Sequence, residues 1–168
     1  LYNIHGTMLP EMRGRGGLSW NILMNSVKFA TTAHLIDAGI DTGDIVLQRK
    51  HLFPKMFRSS LMQMNTYLVL KQNETLLIFL KKIIKGEKLK FIKQLEGKSS
   101  SWSRLNTKKD AWINWTWSLK EIYLFVKAFG EPYCGASTYI YKSRIYILKA
   151  DMLKSDVTYH PFQYGRVF

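Results

Sequence analysis

The first 44 residues contain two strand-like segments that each run directly into a turn carrying polar side chains. Residues 2–5 have the character of a buried strand, and Gly6 begins the turn that follows. Residues 31–36 form the second strand-like segment, and it leads into residues 37–44, which hold two glycines and three aspartates. Open α/β sheets bind ligands at the carboxyl ends of their strands. These two turns therefore predict both an α/β fold and the position of a site.

Asn3, His5 and Asp41 are the chemically distinctive side chains of these two turns. Side chains alternate along a strand, so Asn3 and His5 point to the same side of it. The glycine- and aspartate-rich loop can turn tightly and bring its backbone close to a ligand. A carboxylate at Asp41 can then reach the imidazole of His5. The pattern predicts a site that combines an amide donor, an imidazole and a carboxylate.

Three short motifs follow one another at fixed spacing in this part of the chain. They are Asn3-Ile4-His5, then Thr7-Met8-Leu9-Pro10, and then Asp37-Ala38-Gly39-Ile40-Asp41-Thr42-Gly43-Asp44. In this order and at this spacing the chain resembles the formyltransferase family that uses 10-formyltetrahydrofolate, whereas each motif alone is a weak signal. The resemblance implies an enzyme that transfers a formyl group from 10-formyltetrahydrofolate, as co-substrate, to an acceptor amine.

The resemblance also implies a role for each of the three residues. Formyl transfer is acyl transfer between two nitrogens, so the acceptor amine must lose a proton and the tetrahedral oxyanion needs hydrogen-bond donors. His5 serves as base or as charged donor, and Asn3 donates its amide N–H to the oxyanion. Asp41 holds the imidazole in place and favours its protonated form. No nucleophilic serine or cysteine is required.

Two loops are predicted to line the folate. The pterin ring is flat and rich in donors and acceptors, so exposed loop backbone suits it. The predicted residues are those of the first loop, Thr7, Met8, Leu9 and Pro10, and the backbone of Asp37, Ala38, Gly39 and Ile40.

Arg13 and Arg15 are candidates for binding the acceptor substrate. Glycines and arginines before a helix start can hold an anion through backbone N–H groups, although the same residues can be only a flexible loop that leads to the helix. Family members that act on tRNA usually have Arg-Gly-x-x-Pro-Ile-Gln here, and this chain has Arg13-Gly14-Arg15-Gly16-Gly17-Leu18-Ser19. We therefore favour an amino sugar of a nucleotide sugar or surface polysaccharide as the acceptor. Methionyl-tRNA is the first alternative, and a non-catalytic basic RNA-binding module is the second.

The chain carries a formal net charge of +13. Residues 50–109 contain 14 lysines or arginines against three glutamates, a net of +11. Such a face can bind RNA, nucleotide phosphates or an anionic membrane surface. It can also be an ordinary solvated lysine surface, and we favour that interpretation because aromatic residues are sparse along the run.

The predicted fold class is α/β. Residues 1–87 would form the later half of a Rossmann-like formyltransferase domain, residues 88–109 a linker, and residues 110–168 a small β-rich domain that resembles an open barrel. A doubly wound domain needs strands before such a site, so we expect these residues to belong to a longer protein. One long helix, or two with a kink near Gln72, is predicted over residues 59–85. A capping box at Ser118 and Glu121 starts another helix, and a hairpin turns at Lys142 and Ser143.

Composition restricts the remaining possibilities. No run of 18 apolar residues is present, so no transmembrane helix is expected. The single cysteine, Cys134, cannot form an internal disulfide, which fits a reducing cytoplasm. No Cys/His spacing typical of a metal site is present, so no metal is expected. We interpret His34, His51 and His160 as structural residues, because an isolated histidine usually only satisfies its hydrogen bonds.

Overall fold

A computed structural model describes residues 1–153 and 160–163 of the chain. In these residues the strands are β1 (Tyr2–His5), β2 (Arg13–Gly14), β3 (Lys28–Leu35), β4 (Ile45–Leu52), β5 (Ser101–Trp102), β6 (Ala136–Ile140) and β7 (Ser143–Ile147). The α-helices are α1 (Gly17–Leu23), α2 (Leu61–Ile84), α3 (Thr107–Asp110) and α4 (Leu119–Ala128). Short 3-10 turns occupy Lys55–Phe57, Glu96–Lys98 and Pro161–Gln163. The α/β class predicted from the sequence is confirmed.

Strand β3 is the centre of the largest sheet, whose order is β1-β3-β4. It has a strand on each edge and α2 against one face, and residues 29–34 are all buried. The hydroxyl groups of Thr31 on β3 and Thr75 on α2 are 2.6 Å apart, so they form a hydrogen bond inside this layer. A buried hydroxyl needs such a partner, and this bond fixes how the helix sits on the sheet.

The direction of the strands differs from what the sequence pattern predicts. Both neighbours of β3 run antiparallel to it. The eight residues of the loop at 37–44 are too few for the crossover that parallel strands need, so β4 must return antiparallel. The polar cluster consequently lies where β3 ends and β1 begins, and not at the carboxyl ends of two parallel strands.

Helix α2 is one uninterrupted helix of 24 residues. The Ser60 hydroxyl accepts a hydrogen bond from the backbone N–H of Gln63 and caps its first turn, and Gly86 follows its end with a φ of 65°. The helix continues through Gln72, so residues 61–84 are not two helices, and the Gln72 side chain donates to the Ile4 carbonyl at 3.2 Å. No helix in the described part of the chain is long and apolar enough to cross a bilayer.

The C-terminal region contains α4 and an open two-stranded hairpin. The predicted capping box is present, with Ser118 and Glu121 each bonded to the other's backbone N–H. The hairpin turn begins one residue earlier than predicted, because Tyr141 adopts a left-handed φ of 53° there. Phe125 of α4 and Phe129, which follows the end of that helix, join the core cluster that also contains Phe29. The C-terminal region is thus packed onto the rest of the chain.

The segment at 88–109, predicted as a linker, folds back along the beginning of the chain. Its strand β5 pairs in parallel with β2, and Ile92 forms an antiparallel bridge with Ile45 at the start of β4. The domain limits at 87 and 110 stay a prediction, but this segment is placed against the loops that carry the polar cluster.

Candidate active site

The register of β1 and β3 places four polar side chains on one face of the sheet. Asn3 is directly opposite His34, and His5 is directly opposite Thr32. Directly paired residues and residues two apart share a face, so all four project to the same side. The pairing of β3 with β4 shifts its register between Ala33 and His34, which is a β-bulge beside the cluster. Bulges re-aim side chains, and this one lies at the residue that faces Asn3.

Asp41 brings a carboxylate to this face. Its Oδ2 accepts a hydrogen bond from the backbone N–H of Gly14 at 2.9 Å and lies 3.6 Å from His5 Nδ1. Its Oδ1 lies 3.5 Å from His34 Nε2. The structure therefore brings Asn3, His5 and Asp41 together, as their spacing predicts.

The loop that carries Asp41 is fixed by its own hydrogen bonds. Asp41 has a left-handed φ of 55°, which aspartate tolerates better than most residues. Asp37 Oδ1 accepts hydrogen bonds from the Gly39 N–H at 3.2 Å and from the Thr42 hydroxyl at 2.6 Å. The bond from Thr42 is the main reason that the pKa of Asp37 lies below its ordinary value. The loop is held in shape by its own residues before any ligand arrives.

His5 is largely buried, with 12% of its side chain exposed. Its Nε2 is 3.1 Å from the Met12 carbonyl, which can only accept, so Nε2 carries a hydrogen and donates. Burial lowers the pKa of His5 below 6.5, although Asp41 and the Met12 carbonyl both act to raise it. Asp41 thus favours the protonated form of the ring, as expected, but the effect of burial is larger. His5 is mainly neutral near pH 7, with its Nδ1 lone pair on the Asp41 side.

A cavity of about 390 Å³ opens over this cluster. Its wall includes Asn3, His5, Gly14, Arg15, His34 and Asp41, together with residues 35–37, 39 and 40 of the following loop. His34 is thus part of the cluster. The sequence analysis interpreted it as a structural residue and did not place it there. Strand register places His34 opposite Asn3, and no motif in the sequence indicates this pairing.

Only one of the two loops predicted to line the folate forms the wall of this cavity. Asp37, Gly39 and Ile40 line it, and Ala38 does not. The residues of the first loop, Thr7, Met8, Leu9 and Pro10, lie outside the wall. The carbonyl groups of two of them accept hydrogen bonds from side chains of the sheet, Thr7 from Thr32 at 3.0 Å and Leu9 from Gln48 at 2.9 Å. The first loop supports the sheet, and its contact with folate stays a prediction.

The structure gives Arg13 partners other than a substrate anion. Its guanidinium is buried and forms a two-pronged ion pair with Glu96, at 3.0 and 2.8 Å, and its Nε donates to Gln94 Oε1 at 3.0 Å. The paired Glu96 raises the pKa of Arg13 further. A bidentate pair of this kind uses the donors that would otherwise bind phosphate. Arg15, in contrast, is exposed at the cavity wall and remains a candidate for the acceptor substrate.

Gln94 connects this ion pair to the loop of Asp41. Its Nε2 donates to the backbone carbonyls of Asp41 at 2.8 Å and Gly43 at 2.7 Å, while its Oε1 accepts from Arg13. The side chain thus bonds both ends of the three-residue stretch that contains the left-handed Asp41. We call Arg13, Gln94 and Glu96 the loop clamp.

Gln94→Ala is expected to lower the free energy of unfolding by about 1–3 kcal/mol, because it removes the partner of two backbone carbonyls and of the Arg13 Nε–H. Urea denaturation of the variant measures this loss. Hydrogen exchange of the backbone N–H groups of residues 39–44 should become faster in the same protein. Lys93→Ala, at the adjacent exposed position, is the matched control and should leave both quantities unchanged. Equal stability of the two variants would contradict the clamp.

A second and larger cavity of about 580 Å³ lies elsewhere, between α1 and α4. The aromatic residues in its wall include Trp20, Trp117 and Phe125. The two carboxylates beside it, Asp110 and Glu121, already accept hydrogen bonds from backbone N–H groups at Asn106 and Ser118. Among the described residues no group of three His, Cys, Asp or Glu side chains is arranged to hold a metal ion. The polar cluster at Asp41 is therefore the stronger candidate for chemistry.

Comparison with known proteins agrees with the motifs and the geometry. Residues 106–167 match the family model described as "Formyl transferase, C-terminal domain". The chain is 29% identical over 150 residues to the methionyl-tRNA formyltransferase of Clostridium novyi, which covers 85% of this chain and 47% of that protein.

Two solved structures are similar over most of the chain. One is the N-formyltransferase from Helicobacter canadensis in complex with folinic acid and dTDP-3-aminofucose, at 27% identity and a TM-score of 0.66, covering 77% of this chain and 47% of that one. The other is WlaRD, a sugar 3N-formyl transferase in the presence of dTDP and 5-N-formyl-THF, at 30% identity and a TM-score of 0.62, covering 77% and 46%. The chain belongs to the formyltransferase family.

The chain spans about half the length of the curated relatives that it matches. The family model covers its last third, while the similarity to a curated relative extends over 95% of the chain. Both acceptor classes considered from the sequence, tRNA and amino sugars, occur among its relatives. Family membership alone does not choose between them.

Proposed function

We propose that this chain takes part in formyl transfer from 10-formyltetrahydrofolate to an amine, and that Asn3, His5 and Asp41 are the reacting groups. The proposal rests on the observation that these three side chains line one cavity. His5 Nδ1 is 3.6 Å from Asp41 Oδ2, and Asn3 Nδ2 is 3.5 Å from Asp41 Oδ1. Two family structures above 25% identity were determined with folinic acid or 5-N-formyl-THF, which supports a reduced folate as the formyl donor.

From this geometry we assign each residue a task. The folate presents the formyl carbon to the acceptor amine. His5 is neutral and its Nε2–H is bound by the Met12 carbonyl, so its Nδ1 is the atom that accepts the amine proton. The imidazolium formed in that step lies beside the Asp41 carboxylate, which stabilises it electrostatically. The same ring then returns the proton to the leaving nitrogen. Asn3 donates an amide N–H to the oxyanion.

The loop after β3 is the part of the cavity that suits the folate. Residues 36–40 are exposed, and all of them except Ala38 line the cavity beside the reacting cluster. Backbone N–H and C=O groups are the donors and acceptors that a pterin edge requires. We propose that Asp37, Gly39 and Ile40 contact the folate.

For the acceptor we favour an amino sugar carried by a nucleotide. Arg15 is the exposed cation at the cavity wall, and one such group suits a pyrophosphate. Two of the family structures above 25% identity are sugar-directed, one by its bound dTDP-3-aminofucose and the other by its name. The sequence between Arg15 and Ser19 departs from the tRNA-directed pattern in the same place.

Methionyl-tRNA is the second candidate, because the curated relatives favour it. The lysine- and arginine-rich segment at residues 50–109, the basic run, would then have to contact tRNA phosphates. Part of that run is already neutralised within the chain, since Lys71 pairs with Glu74 at 2.5 Å and Lys82 pairs with Glu87 at 2.7 Å. Such pairs are typical of a solvated helix face, so the basic run gives tRNA binding little support.

An assay with a panel of acceptors tests the proposed function. The naturally encoded protein that carries these residues is incubated with 10-formyltetrahydrofolate and either nucleotide-linked amino sugars or methionyl-tRNA, and the formylated product is identified by mass. Formylation of either acceptor, lost in His5→Ala, supports formyl transfer. Binding of RNA without formylation of any acceptor would contradict it and favour a non-catalytic RNA-binding module.

Two sets of charge changes separate the acceptors. Arg15→Ala is expected to raise KM for a nucleotide sugar, because it removes the cation at the cavity wall. Reversal of the exposed Lys81, Lys85 and Lys88 to glutamate, which spares the ion pairs above, is expected to be nearly silent. If tRNA is the acceptor, the triple variant instead loses substrate binding, and the salt dependence flattens by about 0.7 to 0.9 log units per lost phosphate contact.

We place this reaction in the cytoplasm. Cys134 is an exposed free thiol, and such a group persists most readily in a reducing compartment. Fractionation of cells with an antibody to the protein tests the location.

A further inference from the structure

His34 is buried in the sheet, with only 2% of the residue exposed. Its Nδ1 is 2.7 Å from the carbonyl of Leu35, the next residue in the chain. A carbonyl can only accept, so Nδ1 carries the hydrogen and donates it. In the neutral ring, Nε2 then holds a lone pair. The backbone of β3 thus determines which nitrogen of His34 accepts a hydrogen bond from the cluster.

The acceptor nitrogen of His34 faces Asn3. Asn3 Nδ2 is 3.1 Å from His34 Nε2, and since an amide nitrogen can only donate, Nε2 is the acceptor of this hydrogen bond. This contact requires the Asn3 amide to be oriented with its nitrogen, and not its oxygen, towards His34 and Asp41. The second N–H on that nitrogen lies near Asp41 Oδ1 at 3.5 Å, which is at the outer limit of a hydrogen bond. That second N–H can therefore donate a hydrogen bond to a stronger acceptor.

We propose that His34 is a positioning residue for formyl transfer, which holds the Asn3 amide with its N–H towards the reacting centre. The proposal rests on the proposed function, because the oxyanion of formyl transfer is the acceptor that the second N–H would bind. Without His34, the amide can rotate by half a turn and present its oxygen. An oxygen there would repel the oxyanion and the Asp41 carboxylate.

His51 provides a comparison within the same sheet. Its Nε2 is 2.8 Å from the Thr31 hydroxyl, on the face where α2 packs, and it does not line the cavity. His51 thus has the partner of a structural histidine. His34 differs because both groups near its Nε2, Asn3 and Asp41, belong to the proposed reacting set. This distinction allows a matched control.

The kinetic test uses two variants that fill similar space. In the naturally encoded protein, His34→Leu removes the acceptor and is expected to lower kcat on the order of 10²-fold, the scale of a misplaced catalytic group, with KM nearly unchanged. His34→Gln can place its Oε1 near the lost Nε2 and should recover most of that loss. Asn3→Ala and the double variant Asn3→Ala/His34→Leu should have equal kcat, because residues that act through one another are not additive. Additive losses, or no recovery in His34→Gln, would overturn the proposal.

A spectroscopic test is independent of activity. In protein labelled with ¹⁵N at histidine and asparagine, NMR should find His34 with its hydrogen on Nδ1. The side-chain amide signals of Asn3 should shift in His34→Leu and stay in place in His51→Ala. A hydrogen on Nε2, or an unmoved Asn3 amide in His34→Leu, would refute the positioning role even if formyl transfer is demonstrated. If the wild-type protein transfers no formyl group, the proposed function fails, and the NMR result alone decides whether His34 orients Asn3.

Discussion

His5→Ala is expected to lower kcat for formyl transfer on the order of 10²- to 10⁴-fold, the range for a positioned acid–base group. The neutral ring offers a nitrogen lone pair at Nδ1, next to a carboxylate that stabilises the protonated form, whereas Nε2 of His34 is already bonded to Asn3. The affinity for the folate should change much less, because the exposed backbone of the loop after β3 is unaltered. Steady-state kinetics at saturating 10-formyltetrahydrofolate measures the effect.

The pH dependence identifies His5 as the base. Burial lowers its pKa below 6.5, so the active neutral form is present at pH 7 and is lost as the pH falls through this lowered value. The acid limb of kcat/KM should therefore lie below pH 6.5 in the wild type and vanish from the residual activity of His5→Ala. His51→Ala is the control and should keep the limb. An unchanged acid limb in His5→Ala would exclude His5 as the base.

The same lowered pKa affects stability. An unfolded chain binds a proton at His5 more readily than the folded one, so the free energy of unfolding should decline as the pH falls from 6.5 through the folded-state pKa. His51 also has a pKa lowered by burial, and by Arg49 and Lys71, and contributes with the same sign. The contribution of His5 to this pH dependence of the free energy of unfolding is thus the portion that is lost in His5→Ala and retained in His51→Ala.

Asp41→Asn is expected to lower kcat on the order of 10²- to 10⁴-fold, because it removes the charge that stabilises the imidazolium of His5. Asparagine tolerates the left-handed backbone at this position, and its side-chain oxygen can still accept from the Gly14 N–H. The fold should therefore be retained, which circular dichroism and thermal unfolding would verify. Asp41→Ala should show a similar loss of turnover with an added loss of stability.

Asp44→Asn, in the same loop, is the matched control for the removal of a negative charge. Its side chain does not line the cavity, so turnover should be close to that of the wild type. Near-normal turnover in Asp41→Asn would remove Asp41 from the mechanism. An equal loss in both variants would point to the charge of the whole loop, and not to the contact with His5.

Local patterns in the sequence predict much of this protein. The alternation of side chains in a strand is enough to place Asn3 and His5 on one face, and a Ser-x-x-Glu pattern is enough to start α4 at Ser118. These features depend on neighbours a few residues apart, so their geometry follows from backbone periodicity. The motif spacing likewise led to the family that the comparisons then established.

Residues far apart in sequence had to be brought together by the tertiary structure. His34 joins the cluster because antiparallel register sets it opposite Asn3, 31 positions away, beside a bulge that no motif marks. Arg13 looked like a substrate-binding residue until the chain at 94–96 returned and paired its guanidinium with Glu96. The pKa of His5 depended on how deeply the fold buries it. Periodicity determines which way a side chain points, but its partners and its solvation depend on strand register and long-range packing.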